Sequence, residues 1–327
     1  MSPREQVLPE VPGLGGLYGK ALGRTVRAAL PQAMTSATPP PHTLPEVTYR
    51  VEDVDVPVAT LADYQHLLGE PGTDTLPPGF VHVLGFPLAM ALMVRTDFPL
   101  PVMGMVHVAN TITQRHPLSA QDRLHVRTWA QHLRAHRSGT QVDLVVEVSG
   151  ADGPEAAWRG VSTYLAKGHT LPGLALAEPA GQGPGDGRGP GDGQGPGDRR
   201  SPGDEDAADP KDLPVTAQWR LRADTGRRYA TVSGDRNPIH LSALSAKAFG
   251  FPKAIAHGMY TAARALAAVG PARGEAFTWD VQFAKPVLLP STVALNLSAT
   301  DGGSYRYTGW NLRNGKPHFS GMVRPLP

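Results

Sequence analysis

From about Glu178 to Lys211 the chain repeats Gly-Pro-Gly-Asp units, at Gly183–Gly187, Gly189–Gly193 and Gly195–Asp198, and carries no large apolar side chain. A stretch of this composition has nothing to bury against the entropy of ordering its backbone. It predicts a mobile, protease-sensitive linker that can be shortened. Its Gly-x-Gly patterns are not phosphate loops, because no strand leads into them and no helix follows. The linker constrains everything else, since a 327-residue chain must then build its core from two segments of similar size. The organisation expected is an N-terminal arm at 1–45, a first unit at 46–170, the linker at 171–213 and a second unit at 214–327.

The two units resemble each other. Pro117 in Arg115-His116-Pro117-Leu118 and Pro286 in Ala284-Lys285-Pro286-Val287 differ by 286 − 117 = 169 positions. With that offset Ile112 falls on Val281, Leu124 on Val293 and Val126 on Leu295, apolar on apolar without a gap. One repeat of domain length indicates a duplicated fold, not a solenoid. In the second unit alternating stretches predict strands at Thr278–Phe283, Thr292–Thr300, Tyr305–Leu312 and about His318–Arg324, with turns at Gly302-Gly303 and Asn314-Gly315. An apolar, Ala-rich segment precedes them at Tyr260–Val269, opened by His257-Gly258-Met259, and its counterpart at Pro87–Val94 is opened by Leu84-Gly85-Phe86. An apolar helix followed by an antiparallel meander predicts an α+β unit with the sheet wrapped over a buried helix. The arm holds a basic amphipathic helix over Leu17–Leu30, expected to pack on the fold.

Charge excludes rather than suggests partners. Lys plus Arg number 31 against 29 Asp plus Glu, which gives no reason to expect nucleic acid or a membrane surface. There is no cysteine, hence no disulfide, thiolate metal ligand or cysteine nucleophile, in keeping with a reducing cytoplasm. Met1–Pro12 lacks the apolar run of a secretion signal, and the run Leu84–Val94 is too short to span a bilayer, so a cytoplasmic protein is expected.

The chemistry concentrates in Tyr229-Ala-Thr-Val-Ser-Gly-Asp-Arg-Asn-Pro-Ile-His240, followed by Ala256-His257-Gly258-Met259. Ser233-Gly234-Asp235 and Asn237-Pro238 are turn formers, and Pro238 fixes its own φ while steering Asn237 out of helix. A carboxylate and an imidazole held in one rigid turn can bind a water and move its protons, and Asn237 can orient either of them. Gly258 at a helix start offers an unsatisfied N–H at the positive end of the dipole, and a substrate carbonyl can approach it closely.

This segment, with Phe283-Ala284-Lys285-Pro286 downstream, resembles the signature of the MaoC-like, R-specific enoyl-CoA hydratase family. The resemblance covers 214–327 directly, and 46–170 fits the degenerate first repeat of the family's double hot-dog members. It implies a double hot-dog fold, two repeats of a long helix wrapped by a curved antiparallel sheet. It also implies reversible hydration of a trans-2-enoyl thioester to the (3R)-3-hydroxyacyl thioester, without cofactor, coenzyme A or the pantetheine of an acyl carrier protein being part of the substrate. Carried over by position, Asp235 and His240 are the catalytic dyad, Asn237 supports them and Gly258 supplies the oxyanion N–H. No Gly-Asp-x-Asn-Pro-x-His lies between Glu46 and Leu84, so one active site per chain is expected.

Other residues weigh differently. His257 reads first as a helix cap or packing residue, Tyr229 and Met259 as pocket wall, and Arg228 and Lys285 as cations for the carrier's phosphates. His132 and His136 have zinc-like i, i+4 spacing, but no glutamate accompanies them and the repeat places them in a strand and turn, so no metal is expected. A hot-dog thioesterase would carry a carboxylate on the central helix, and Gly258–Val269 has none; a non-catalytic thioester-binding partner subunit has no use for an intact dyad. The paired halves make a monomeric pseudo-dimer sufficient, with a homodimer as the alternative.

Overall fold

A computed structural model describes residues 4–29, 42–150, 155–175 and 209–327, the side chains of 24–29 excepted. Most of the Gly/Pro/Asp stretch, residues 176–208, lies outside the described residues. Its flanks are already attached to the fold. Ala135 N–H donates to the Ala175 carbonyl at 2.9 Å, and Pro210–Asp212 form a 3-10 turn capped by Asp209.

The arm forms strand β1 (Arg4–Val7) and helix α1 (Leu14–Ala29). The first unit follows as β2 (Val47–Val54), α2 (Val58–Leu68), α3 (Pro78–Met93), β3 (Val106–Gln114), β4 (Leu124–His136), β5 (Gly139–Ser149) and β6 (Trp158–Lys167). The second unit repeats the plan. It runs β7 (Ala217–Leu221), α4 (Thr225–Ser233), α5 (Pro238–Leu241), α6 (Ala243–Ala248), α7 (Gly258–Val269), β8 (Phe277–Phe283), β9 (Ser291–Thr300), β10 (Ser304–Asn311) and β11 (Pro317–Pro325). The four strands expected in the second unit are therefore present within one or two residues of their predicted ends.

All described strands join one sheet in the order β1-β2-β4-β5-β6-β3-β8-β11-β10-β9-β7. Reading outward from the β3–β8 seam, the two halves have mirrored strand orders, and each half wraps its own helix, α3 or α7. This is a double hot-dog, α+β as expected. The seam confirms the repeat numerically: β3 and β8 pair antiparallel with Thr111 opposite Asp280, and 280 − 111 = 169. Two residues related by the sequence offset thus face each other, which places the pseudo-two-fold axis through that pair. Ile112, Val281, Leu124, Val293, Val126 and Leu295, the residues aligned by the offset, are all buried.

Helix α3 is buried over nearly its whole length, as an apolar segment without a polar face must be. It begins at Pro78, six residues before the predicted opening at Leu84-Gly85-Phe86. Pro77 stands at the N-cap and Pro78 at the first helical position, where a missing N–H costs nothing. Gly85 lies mid-helix and serves packing, because a Cβ there would stand 2.4 Å from Val146 Cγ1 on β5. Among the described residues no helix is long and apolar enough to cross a membrane.

Candidate active site

The signature folds as two helix ends that meet. Helix α4 ends at Gly234, whose φ of 69° is the left-handed C-cap geometry that glycine adopts without strain. Asp235 then turns the chain, its Oδ1 accepting the Asn237 N–H at 3.0 Å. Asn237 caps the four-residue helix α5, its Oδ1 accepting the Ile239 N–H at 3.4 Å, with Pro238 at the first position. His240 therefore sits on a short helix, not in a loop. The loop reading holds only for residues 234–237. Helix α4 also buttresses α5 directly, since a Cβ on Gly226 would lie 2.2 Å from the His240 carbonyl oxygen.

His240 is buried, and its Nδ1–H donates to the Ile255 carbonyl at 2.9 Å. That bond fixes the tautomer and leaves Nε2 as the free ring nitrogen. His257, at the N-cap position of α7, makes no cap bond; its Nε2–H donates to the Asp235 backbone carbonyl at 3.0 Å. Its ring stacks on His240 with centroids 3.6 Å apart, and Tyr229 stands 4.9 Å away on its other flank. Of the two readings of His257, the cap is corrected and the packing role agrees with its ring contacts: it ties the loop to α7 and packs against the dyad. Asp235 keeps 25% of its side chain exposed, and its Oδ2 lies 3.7 Å from His257 Nε2.

Burial lowers the pKa of His240, against the opposing pull of Asp235 and the Ile255 bond, and lowers that of His257 to about 3. For Asp235 burial acts upward, but the neighbouring imidazoles of His257 and His240, the Tyr18 hydroxyl and the Asn237 amide outweigh it and hold the carboxyl below its usual range. The pair is therefore a carboxylate beside a neutral imidazole, which is the state needed to accept a proton from water.

These groups open into one cavity of about 430 Å³ that runs between the two halves. Gly258, the first residue of α7, lines it, and its N–H has no intrahelical acceptor. A Cβ there would press to 2.9 Å on the Phe283 ring, so the close approach of that ring calls for glycine. Tyr229, Met259 and the exposed Lys285 also line the cavity, whereas Arg228 is exposed on α4 and does not line it. The first unit contributes an apolar set to the lining: Phe86, Met90, Met93, Val102, Met103 and Met105. The nitrogen and oxygen atoms of Asp235, His240 and His257 lie within 4.8 Å of one another. One nitrogen of each ring is already spent on a backbone carbonyl, His240 Nδ1 on Ile255 and His257 Nε2 on Asp235.

Three lining residues escaped sequence reasoning. Tyr18 of α1 donates its hydroxyl to Asp235 Oδ1 at 2.5 Å. His82 of α3 and His107 of β3 stack at 6.1 Å, with His107 against Tyr164 at 4.7 Å. Burial brings the pKa of His82 to about 4 and that of His107 to about 3. A histidine inside the apolar segment Phe80–Val94 was the one available hint, and nothing local pointed to Tyr18 or His107.

Residues 202–309 match the family model described as MaoC like domain. The chain is 37% identical over 308 residues to 3-hydroxyacyl-thioester dehydratase X of Mycobacterium tuberculosis, covering 94% of this chain and 98% of that one. A crystal structure of HtdX from the same organism superposes with a TM-score of 0.68 at 35% identity, over 85% of this chain and 100% of that one. A MaoC-like dehydratase from Phytophthora capsici superposes with a TM-score of 0.60 over 85% of this chain and 94% of that one; at 18% identity it supports the fold alone.

Proposed function

This chain belongs to the MaoC-like dehydratase family, and we propose that it is a hydro-lyase of acyl thioesters. It adds water to a trans-2-enoyl thioester and removes it from the (3R)-3-hydroxyacyl thioester. The observation that carries this reading is that Asp235, the free Nε2 side of His240 and the Gly258 N–H share one cavity. Asp235 and His240 bind the water that adds to C3. The Gly258 N–H takes the thioester oxygen as the enolate-like charge develops. A single dyad then handles both the hydroxyl and the C2 proton from one side, which makes the addition syn. The acyl tail packs against the methionines of the first unit, whose flexible thioethers fill around chains of different shape. Lys285 stands at the exposed rim, suited to the phosphates of coenzyme A or a carrier-protein pantetheine. The site is complete within one chain, so a monomer suffices for activity.

The test is hydration of crotonyl-, octenoyl- and longer trans-2-enoyl-CoA with chiral analysis of the product. The (3R) alcohol is expected. Asp235→Asn and His240→Ala should each lower kcat by about 10²–10⁴-fold while circular dichroism stays native. The double variant should be little worse than the worse single one, because the dyad acts as a unit. Wild-type turnover in either single variant sinks the assignment.

A further inference from the structure

The hydroxyl that reaches Asp235 comes from outside both repeats. We infer that the N-terminal arm is part of the active site, and that Tyr18 is a positioning residue that holds Oδ1 of Asp235 so that Oδ2 is the oxygen left to work on water. This deepens the reading above and rests on it.

The two oxygens of Asp235 are not equivalent. Oδ1 accepts two donors, Tyr18 Oη–H at 2.5 Å and the Asn237 N–H at 3.0 Å. Oδ2 receives neither; its neighbour His257 Nε2, at 3.7 Å, spends its proton on the Asp235 backbone carbonyl. A carboxylate gripped through one oxygen cannot rotate about its Cβ–Cγ bond, and the lone pairs of the other keep a fixed direction. Two donors on Oδ1 also stabilise the charged form.

The arm is built to deliver that hydroxyl. Leu14, Leu17, Tyr18 and Ala21 fall at i, i+3, i+4 and i+7, one face of α1. Leu17 and Ala21 are buried, and Leu14 rests on Gly234, where a Cβ would lie 2.4 Å from Leu14 Cδ1. The same glycine that ends α4 thus leaves room for α1 to sit on the catalytic turn. Ahead of the helix, β1 pairs parallel with β2 from Arg4↔Val47 to Val7↔Arg50, which anchors the arm to the sheet edge. Tyr18 itself lines the cavity. Burial and the adjacent carboxylate raise its phenol pKa, so it remains a donor throughout the working range.

The experiment uses the full chain with Tyr18→Phe, which keeps the ring and removes only the hydroxyl. Loss of a hydrogen bond to a charged group should lower kcat by about 10- to 100-fold with little change in KM. The acid limb of the kcat/KM profile should move to higher pH, because the carboxylate loses a donor. A 13C-NMR titration of the Asp235 carboxyl should show the same upward displacement without reference to turnover. If the limb and the carboxyl titration stay where they were, the inference is overturned, even if KM or thermal stability has changed, since that pattern is one of packing alone. Should Tyr18→Phe fail to fold, a ring-fluorinated tyrosine at position 18 replaces it. Its more acidic phenol is a stronger donor, so limb and titration should move to lower pH, and an unmoved titration again overturns the inference. A wild-type chain that hydrates no enoyl thioester refutes the proposed function instead, while the NMR arm still decides the role of Tyr18.

Discussion

His82 and His257 are buried and His107 is half-buried around the cavity, and with pKa values near 4 for His82 and near 3 for His107 and His257 all three are neutral in the folded protein. In the unfolded chain a histidine takes its proton near pH 6.5. Between those limits the unfolded state binds more protons, so the stability tied to these residues is fully present above about pH 6.5 and is lost as pH falls toward 4 and below. The urea midpoint should therefore decline steadily from pH 7 to 4.5, and His107→Phe, placed between Tyr164 and Phe283, should flatten that slope. An identical slope in the variant would remove His107 from the account. At this scale the sequence was most legible where the chemistry is contiguous. Asp235, Asn237 and His240 fall within six residues, and a turn made of Gly, Asp, Asn and Pro can be read directly. Tyr18 was invisible because 217 positions separate it from its partner, and a tyrosine in an amphipathic helix carries no mark of the carboxylate it will meet. Arg228, next to Tyr229 in sequence, is exposed on helix α4, and of the two only Tyr229 lines the cavity.

The central helices were legible as apolar segments, but their ends were not equally so. Helix α7 starts where His257-Gly258 predicted, whereas α3 starts at Pro78 because Pro77-Pro78 is a better initiation signal than Leu84-Gly85-Phe86. Strands β1, β2 and β7 went unread. They lie at the two ends of the sheet, and β1 and β7 are only four and five residues long, too short to display an alternation. The helix–sheet contact at Gly85 is open to a direct test. Gly85→Ala pushes a methyl into Val146 and should destabilise the fold by about 1–3 kcal/mol through overpacking. Val146→Ala makes room for that methyl, so the double variant should recover much of the loss, read as non-additivity of urea midpoints. Additive losses would mean that the strain lies elsewhere.

For the whole molecule, the offset of 169 positions carried more than any single motif. It aligned the buried residues of the two units, and the β3–β8 register then repeated it through Thr111 and Asp280. What the offset could not reveal is how the second unit's dyad depends on the first, because the dependence runs through space: His82, His107 and the methionines close a cavity whose catalytic groups sit on the 234–237 turn, α5 and α7. The buried-side ion pair of Arg273 with Glu70, at 3.2 Å, adds a second tie between the units. Since one chain supplies every wall, the proposed hydratase activity per molecule should be constant on dilution from micromolar to picomolar protein, and a fall at low concentration would show that a second chain is needed. The near-two-fold axis has one more consequence. In a true homodimer each substitution appears twice, so a change that widens the acyl-facing side also falls on the dyad of the partner. Here the two sides of the axis are encoded by different codons, and one flank can exchange polar groups for methionine while the other keeps its aspartate and histidine.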